Sequence, residues 1–183
     1  MRQKIILGLV GKIAAGKGTV ATYLEKKYSA STYRFSDIMK DLLIRLHLPV
    51  NRHNLQTIST IIRQNFGQDI FAKIIAENVI KDNNQVIIVD GIRRMADIKY
   101  LVKNKKFKLV KVEASSEIRF KRLINRNEKQ DDINKTYQKF LADQEQEADA
   151  EIPQVMKKAT IEINNNGALA KLYNQIDKII EQY

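Results

Sequence analysis

The sequence predicts an α/β fold, a three-layer arrangement around a central, mostly parallel five-stranded sheet. Three observations predict it. Short apolar runs alternate along the chain with stretches of helical spacing, which is the mark of strands joined by helical crossovers. The run Val86-Ile87-Ile88-Val89 is apolar throughout and flanked by Asn83-Asn84 and Asp90-Gly91, so it reads as a strand buried on both faces. The apolar run Ile5–Val10 passes through a glycine-rich loop directly into a helical pattern.

Taken in order, residues 4–10 read as the first strand, followed by the loop and a helix over about 17–28. Thr32–Phe35 is a short second strand, and Ser36-Asp37 reads as the cap of a helix through Leu42, Leu43 and Leu46. Leu48-Pro49-Val50-Asn51 breaks the chain. Helices over about 53–65 and 69–81 follow, divided at Gly67. After the strand at 86–89 come a helix over about 95–103 and a fourth strand, Leu109–Val112. Ser115-Ser116 caps a helix over about 117–126. Residues 127–150 are polar and acidic, with helical spacing at Ile133, Tyr137 and Leu141. Thr160–Ile163 is a fifth, edge-like strand. A last helix carries Leu169, Leu172, Ile176, Ile179 and Ile180 on one face.

The most informative stretch is Gly11-Lys12-Ile13-Ala14-Ala15-Gly16-Lys17-Gly18-Thr19. It meets the pattern G-x-x-x-x-G-K in the strand-to-helix context of a phosphate-binding loop. Four of the seven glycines (Gly8, Gly11, Gly16, Gly18) fall in this corner, which predicts a close approach of backbone to something here. Backbone N–H groups at a helix start face an anion, and Lys17 adds a mobile charge for β- and γ-phosphates. Gly18 stands where a hydroxyl residue usually follows the lysine, and Thr19 comes one place later. Asp90 ends the buried strand, where a carboxylate can hold a magnesium ion beside phosphates. Arg93 and Arg94 follow it, either as a phosphate clamp or as a solvated pair at a turn. In parallel sheets ligands bind beyond the carboxyl ends of the strands, and the loop at 11–19, Asp37, Asp90 and Asn164–Gly167 all lie there.

Composition sets the outer limits. A chain of 183 residues is one domain with room for a sizeable core. Hydrophobic content of 44% with 29% charged residues suits a globular protein. There is no cysteine, which excludes a disulfide scaffold and a cysteine zinc site, and His47 and His53 have no third ligand nearby. The apolar runs are far short of a membrane span. Met1–Lys4 imitates the start of a signal peptide, but the short apolar run behind it leads into the loop and reads as a strand. Cytoplasm is the expected compartment, as a monomer or a homodimer. The net charge of +11 suits polyanionic small molecules or solubility as well as nucleic acid. The densest run, Lys103–Lys108, sits between a helix and a strand and reads as a solvated turn, so nucleic acid ranks behind a small nucleotide as partner.

The ending Gly16-Lys17-Gly18-Thr19 resembles the adenylate kinase branch of the P-loop kinases, although Ala14 stands where that branch usually has glycine. With Asp90-Gly91 and its arginines the chain looks like the nucleoside monophosphate kinases. Ile92 and Arg93 replace the aromatic and proline of their acceptor motif, as in adenylate-kinase-related and dephospho-CoA-kinase-like proteins. Ser36–Lys40 resembles the Gly-Asp-x-x-Arg segment of the monophosphate kinases. Leu55–Thr60 with Arg63 resembles a segment of the deoxynucleoside monophosphate kinases. The stretch with Ala159, Ile163, Asn164, Gly167 and Leu172 is similar to the end of dephospho-CoA kinase.

The resemblance implies a P-loop kinase fold over 1–183, with acceptor helices at about 38–81 and a helical lid at about 119–150. It implies ATP and Mg2+, with Gly11, Ala14, Ala15, Gly16, Lys17, Gly18, Thr19, Asn164 and Gly167 on the donor and Thr19 and Asp90 at the metal. Arg119, Arg122 and Arg126 share one helix face. The lid pattern Arg-Leu-x-x-Arg selects Arg122 and Arg126 for the transferred group and leaves Arg119 to the surface. Arg93, Arg94 and Lys40 fall to the acceptor. Asp37 either caps its helix or orients the acceptor, and Arg63 is either a helix-surface residue or a ligand to the acceptor phosphate. The implied acceptor is a (deoxy)nucleoside monophosphate, with dephospho-CoA as the alternative. A non-catalytic ATP-binding module is the reading from another class.

Overall fold

The computed structural model describes residues 3–125, 136–142 and 150–183. Among them lie five strands: β1 (Ile5–Val10), β2 (Ser31–Arg34), β3 (Val86–Asp90), β4 (Phe107–Glu113) and β5 (Ile161–Asn164). The helices are α1 (Lys17–Tyr28), α2 (Phe35–Arg45), α3 (Arg52–Phe66), α4 (Ile70–Lys81), α5 (Met95–Ile98), α6 (Ser116–Asn125), α7 (Tyr137–Ala142), α8 (Ile152–Met156) and α9 (Leu169–Glu181).

The sheet order is β2-β3-β1-β4-β5, and every pairing is parallel. β1 lies at the centre and all six of its residues are buried. Side chains alternate across a strand, so β1 divides its apolar residues between two cores. Ile6 and Val10 pack with Phe71 and Ile75 of α4 on one face. Ile5, Leu7 and Leu9 pack with Val20 and Leu24 of α1 and Ile176 and Ile180 of α9 on the other. The expected three layers follow. β5 is at the edge, as predicted.

The parallel register brings the carboxyl ends of the strands together. Arg34 lies opposite Asp90, and Glu113 opposite Asn164. One glycine of the corner serves this packing and not a ligand. A Cβ on Gly8 would come within 2.6 Å of the Phe107 ring and 2.8 Å of Ile92 Cδ1.

Several boundaries differ from the sequence reading. β2 ends at Arg34, and Phe35 is helical because its ring turns into the core beneath α2. The N-cap of α2 is therefore Arg34, and Asp37 sits inside the first turn, so the cap role expected for Ser36-Asp37 is not realised. The helix expected over 95–103 is a single turn, α5, followed by a 3₁₀ turn at Leu101–Lys103. Ile98 and Leu101 are both buried there, and the tighter winding lets the chain reverse into β4. The divider at Gly67 holds. Its φ of 102° is a conformation that side chains rarely adopt, and it closes α3 with a bond to the Arg63 carbonyl.

Candidate active site

The loop between β1 and α1 takes its shape from three backbone constraints. A Cβ on Gly11 would run into the carbonyl oxygen of Val112. Gly16, the N-cap of α1, has φ 106° and ψ 16°. Ala14 has φ 59°, the left-handed region where a Cβ costs about 1–2 kcal/mol. That conformation explains why glycine is usual at this place. The first amide of α1 with a carbonyl one turn behind it is Val20, bonded to Gly16 O at 3.1 Å. The amides before it have no intrahelical acceptor, and the helix end presents them outward. Lys17 Nζ folds back over the loop and donates to Gly11 O at 2.6 Å and Lys12 O at 3.2 Å. Gly18 and Thr19 are exposed in the first turn, and the space around Gly18 is open.

A buried asparagine joins this loop to α6. Asn165, 3% exposed, donates from Nδ2 to Ala15 O at 2.8 Å. Arg122 Nη2 donates to the Asn165 backbone carbonyl at 2.9 Å and reaches its Oδ1 at 3.4 Å. Arg122 Nη1 is buried without a hydrogen-bond partner among the described residues and lies 4.0 Å from where a Cβ on Gly16 would be. The same Cβ would overlap Asn165 Nδ2, so only glycine lets the asparagine approach.

The sequence pointed to Asn164 and Gly167, which lie one residue before and two residues after Asn165. Both are exposed. The Asn164 carboxamide oxygen accepts from Asn166 N at 3.0 Å and Nδ2 at 2.8 Å, which closes the turn on itself. The missed signal is strand alternation, since Ile163 is buried, Asn164 exposed and Asn165 buried.

Arg119 departs from its expected place on the surface. Its guanidinium is buried, donating from Nε to Ala114 O at 3.1 Å and from Nη1 to Ile13 O at 3.3 Å, and it lies over the Phe140 ring. Burial pushes its pKa down. The reason is local. α6 packs against α7, so the face with Arg119 and Leu123 turns inward. Arg126, the second lid arginine, lies outside the described residues, as do 127–135 and 143–149 of the expected lid.

On the other side of β1, Asp90 closes β3. Its Oδ1 accepts from Gly91 N at 2.8 Å, and its Oδ2 lies 3.7 Å from Arg34 Nε. Arg34, not selected from the sequence, also meets Glu25 at 3.2 Å. Beyond Asp90 the chain is held by another unanticipated residue, the buried Asp97. Its Oδ2 accepts from the amides of Arg93 and Arg94, both at 3.0 Å, and its Oδ1 accepts from Arg63 Nη2 at 2.8 Å. Arg63 is thus neither a surface residue nor an open ligand. It is buried over the Phe71 ring, with Nη1 on the Gln68 carbonyl. Arg94 Nη1 reaches Gln68 Oε1 at 3.2 Å, and Arg93 is exposed. Asp37 pairs with Lys40 at 2.9 Å.

The donor set suits a magnesium nucleotide. The Thr19 hydroxyl and Asp90 carboxylate are hard oxygen donors, and no cluster of three His, Cys, Asp or Glu gathers among the described residues. Magnesium accepts such a sparse protein contribution because phosphates and water complete its shell. A cavity of about 750 Å³ opens on the β4 side of the loop, bounded by Lys12, Ile13, Arg119, Leu141, Ile152 and Met156 among others.

A family profile described as an AAA domain matches residues 10–139. The UPF0200 protein MMP1282 of Methanococcus maripaludis is 23% identical over 180 residues, which cover 97% of this chain and 96% of the relative. A shikimate kinase from Bacteroides thetaiotaomicron has a similar structure, with a TM-score of 0.62 at 15% identity over 97% of each chain. A gluconokinase from Sinorhizobium meliloti gives 0.56 at 11% identity, over 100% of this chain and 97% of that one. At these identities the two kinases speak for the fold.

Proposed function

Because the chain belongs to this AAA domain family and carries a P-loop kinase fold, we propose that it moves the γ-phosphoryl group of ATP to a small nucleotide-like acceptor, a (deoxy)nucleoside monophosphate first. One observation supports this above the others. Arg122 Nη1 is buried, has no hydrogen-bond partner among the described residues and is placed beside Gly16. A buried donor without an acceptor is costly unless a ligand supplies one. Phosphate oxygens above the loop are such an acceptor.

In this reading Lys17 leaves the loop carbonyls and binds the β- and γ-phosphates, with the amides at the start of α1. Thr19 and Asp90 hold Mg2+, which neutralises charge on the phosphates when bound. Arg122 donates to the oxygens that gain charge as the phosphoryl group moves, where a fixed donor is worth most. Asn165 fixes that arginine without touching the reacting group.

The test is an acceptor screen with γ-labelled ATP across the nucleoside monophosphates and dephospho-CoA, with Lys17→Ala as the control. Label transfer to one monophosphate, lost in Lys17→Ala, is expected. ATP binding with no transfer to any acceptor would mark a non-catalytic nucleotide-binding module. Transfer to dephospho-CoA alone would replace the monophosphate with a hydroxyl acceptor.

A further inference from the structure

We propose that the cavity on the β4 side of the glycine loop is the acceptor pocket, and that Arg119 holds the acceptor's phosphate in it. The proposal rests on the kinase reading above and gives its acceptor a place.

The charge of Arg119 is the starting point. The residue is 4% exposed, yet its polar contacts are neutral carbonyls, Ala114 O and Ile13 O, and its third neighbour is the Phe140 ring at 5.2 Å. No carboxylate pairs with it among the described residues, and the nearby groups that favour its charge are Tyr137 and Glu117. Arg63 makes the contrast. It is buried to a similar degree and has the carboxylate of Asp97 at 2.8 Å. A buried cation without a counter-anion carries an unrecovered desolvation cost. An anion in the adjoining cavity recovers it.

The walls of the cavity say what kind of anion. Its volume of about 750 Å³ is that of a small-molecule site. Lys12 and Arg119 give it positive charge, the one carboxylate of the described lining, Glu113, being paired with Lys111 at 3.5 Å, while Ile13, Leu141, Ile152 and Met156 give it apolar surface. That combination fits a phosphate monoester on a ring body. The guanidinium fork matches phosphate oxygens, and the apolar wall covers a base. The position fits transfer as well. Arg119 is bonded to the carbonyl of Ile13 within the loop, so a phosphate on Arg119 lies against the loop that carries the donor. Phosphoryl transfer needs that proximity. Asp37, Lys40, Arg63, Arg93 and Arg94, which the sequence suggested for the acceptor, do not line this cavity.

The test is calorimetric binding of AMP, GMP, CMP, UMP and dTMP to the intact protein, with and without a saturating non-hydrolysable ATP analogue. Wild type, Arg119→Lys and Leu141→Trp are compared. Arg119→Lys keeps the charge and loses the fork. Leu141 is 41% exposed at the rim, so a tryptophan there fills the mouth without entering the core. At least one monophosphate is expected to bind while the analogue is bound. Each variant should weaken it by about tenfold or more, and Leu141→Trp, which leaves the loop's hydrogen bonds untouched, should change analogue affinity by less than about threefold. Absence of monophosphate binding, displacement by the analogue, or wild-type affinity in a folded variant overturns the proposal. Failure of the analogue to bind overturns the kinase reading instead, and the titration without analogue, repeated in the variants, then decides the pocket.

Discussion

Asn165→Ala is the sharpest probe of how the loop is held. The substitution removes the 2.8 Å bond from Nδ2 to Ala15 O, and Ala15 is 1% exposed, so water does not replace the donor. The 3.4 Å contact from Arg122 is too long to add much, and the stronger bond from Arg122 goes to the Asn165 backbone carbonyl, which stays. The loss is therefore one buried unsatisfied carbonyl, about 1–3 kcal/mol. For a chain of this size each kcal/mol lowers Tm by about 2–4 °C, which gives a fall of about 2–12 °C.

The neighbour Asn166 supplies the control. It accepts from Ser115 N at 2.7 Å, but at an exposed site where water substitutes, so Asn166→Ala should cost about 0.5 kcal/mol or less. Calorimetric unfolding of both variants is the assay. Gly16→Ala extends it, because its new Cβ clashes with the Asn165 side chain. In the Asn165→Ala background that clash is gone, so the double variant should be less destabilised than the sum of the singles. Equal Tm for the two asparagine variants, or strict additivity with Gly16→Ala, would refute the role given to Asn165.

Two further outcomes follow from the backbone and the buried charges. Ala14→Gly should raise stability by about 0.5–1 kcal/mol, because it relieves φ 59° and loses only part of the gain to unfolded-state entropy; denaturant unfolding checks it, and a lower midpoint counts against the left-handed loop. Arg63→Ala leaves Asp97 buried and unpaired, so it should cost about 3–5 kcal/mol; a loss below about 1 kcal/mol in thermal unfolding would mean that the pair is not buried in solution.

The sequence by itself determined the fold class, the parallel strands and the glycine loop. Each is written locally, in an alternation, in an apolar run such as Val86–Val89, or in glycines whose backbone angles no other residue takes cheaply. Gly67 and the site of Asp90 at a strand end were legible for the same reason.

The tertiary structure alone decided what the buried polar side chains hold. Arg63 meets Asp97 across 34 positions, Arg119 meets Ile13 across 106, and Asn165 meets Ala15 across 150. No local period encodes such partners. An arginine on a helix face reads the same from sequence whether that face meets water or the Phe140 ring of α7. Burial, and with it the cost of an unpaired charge, exists only once the elements have packed.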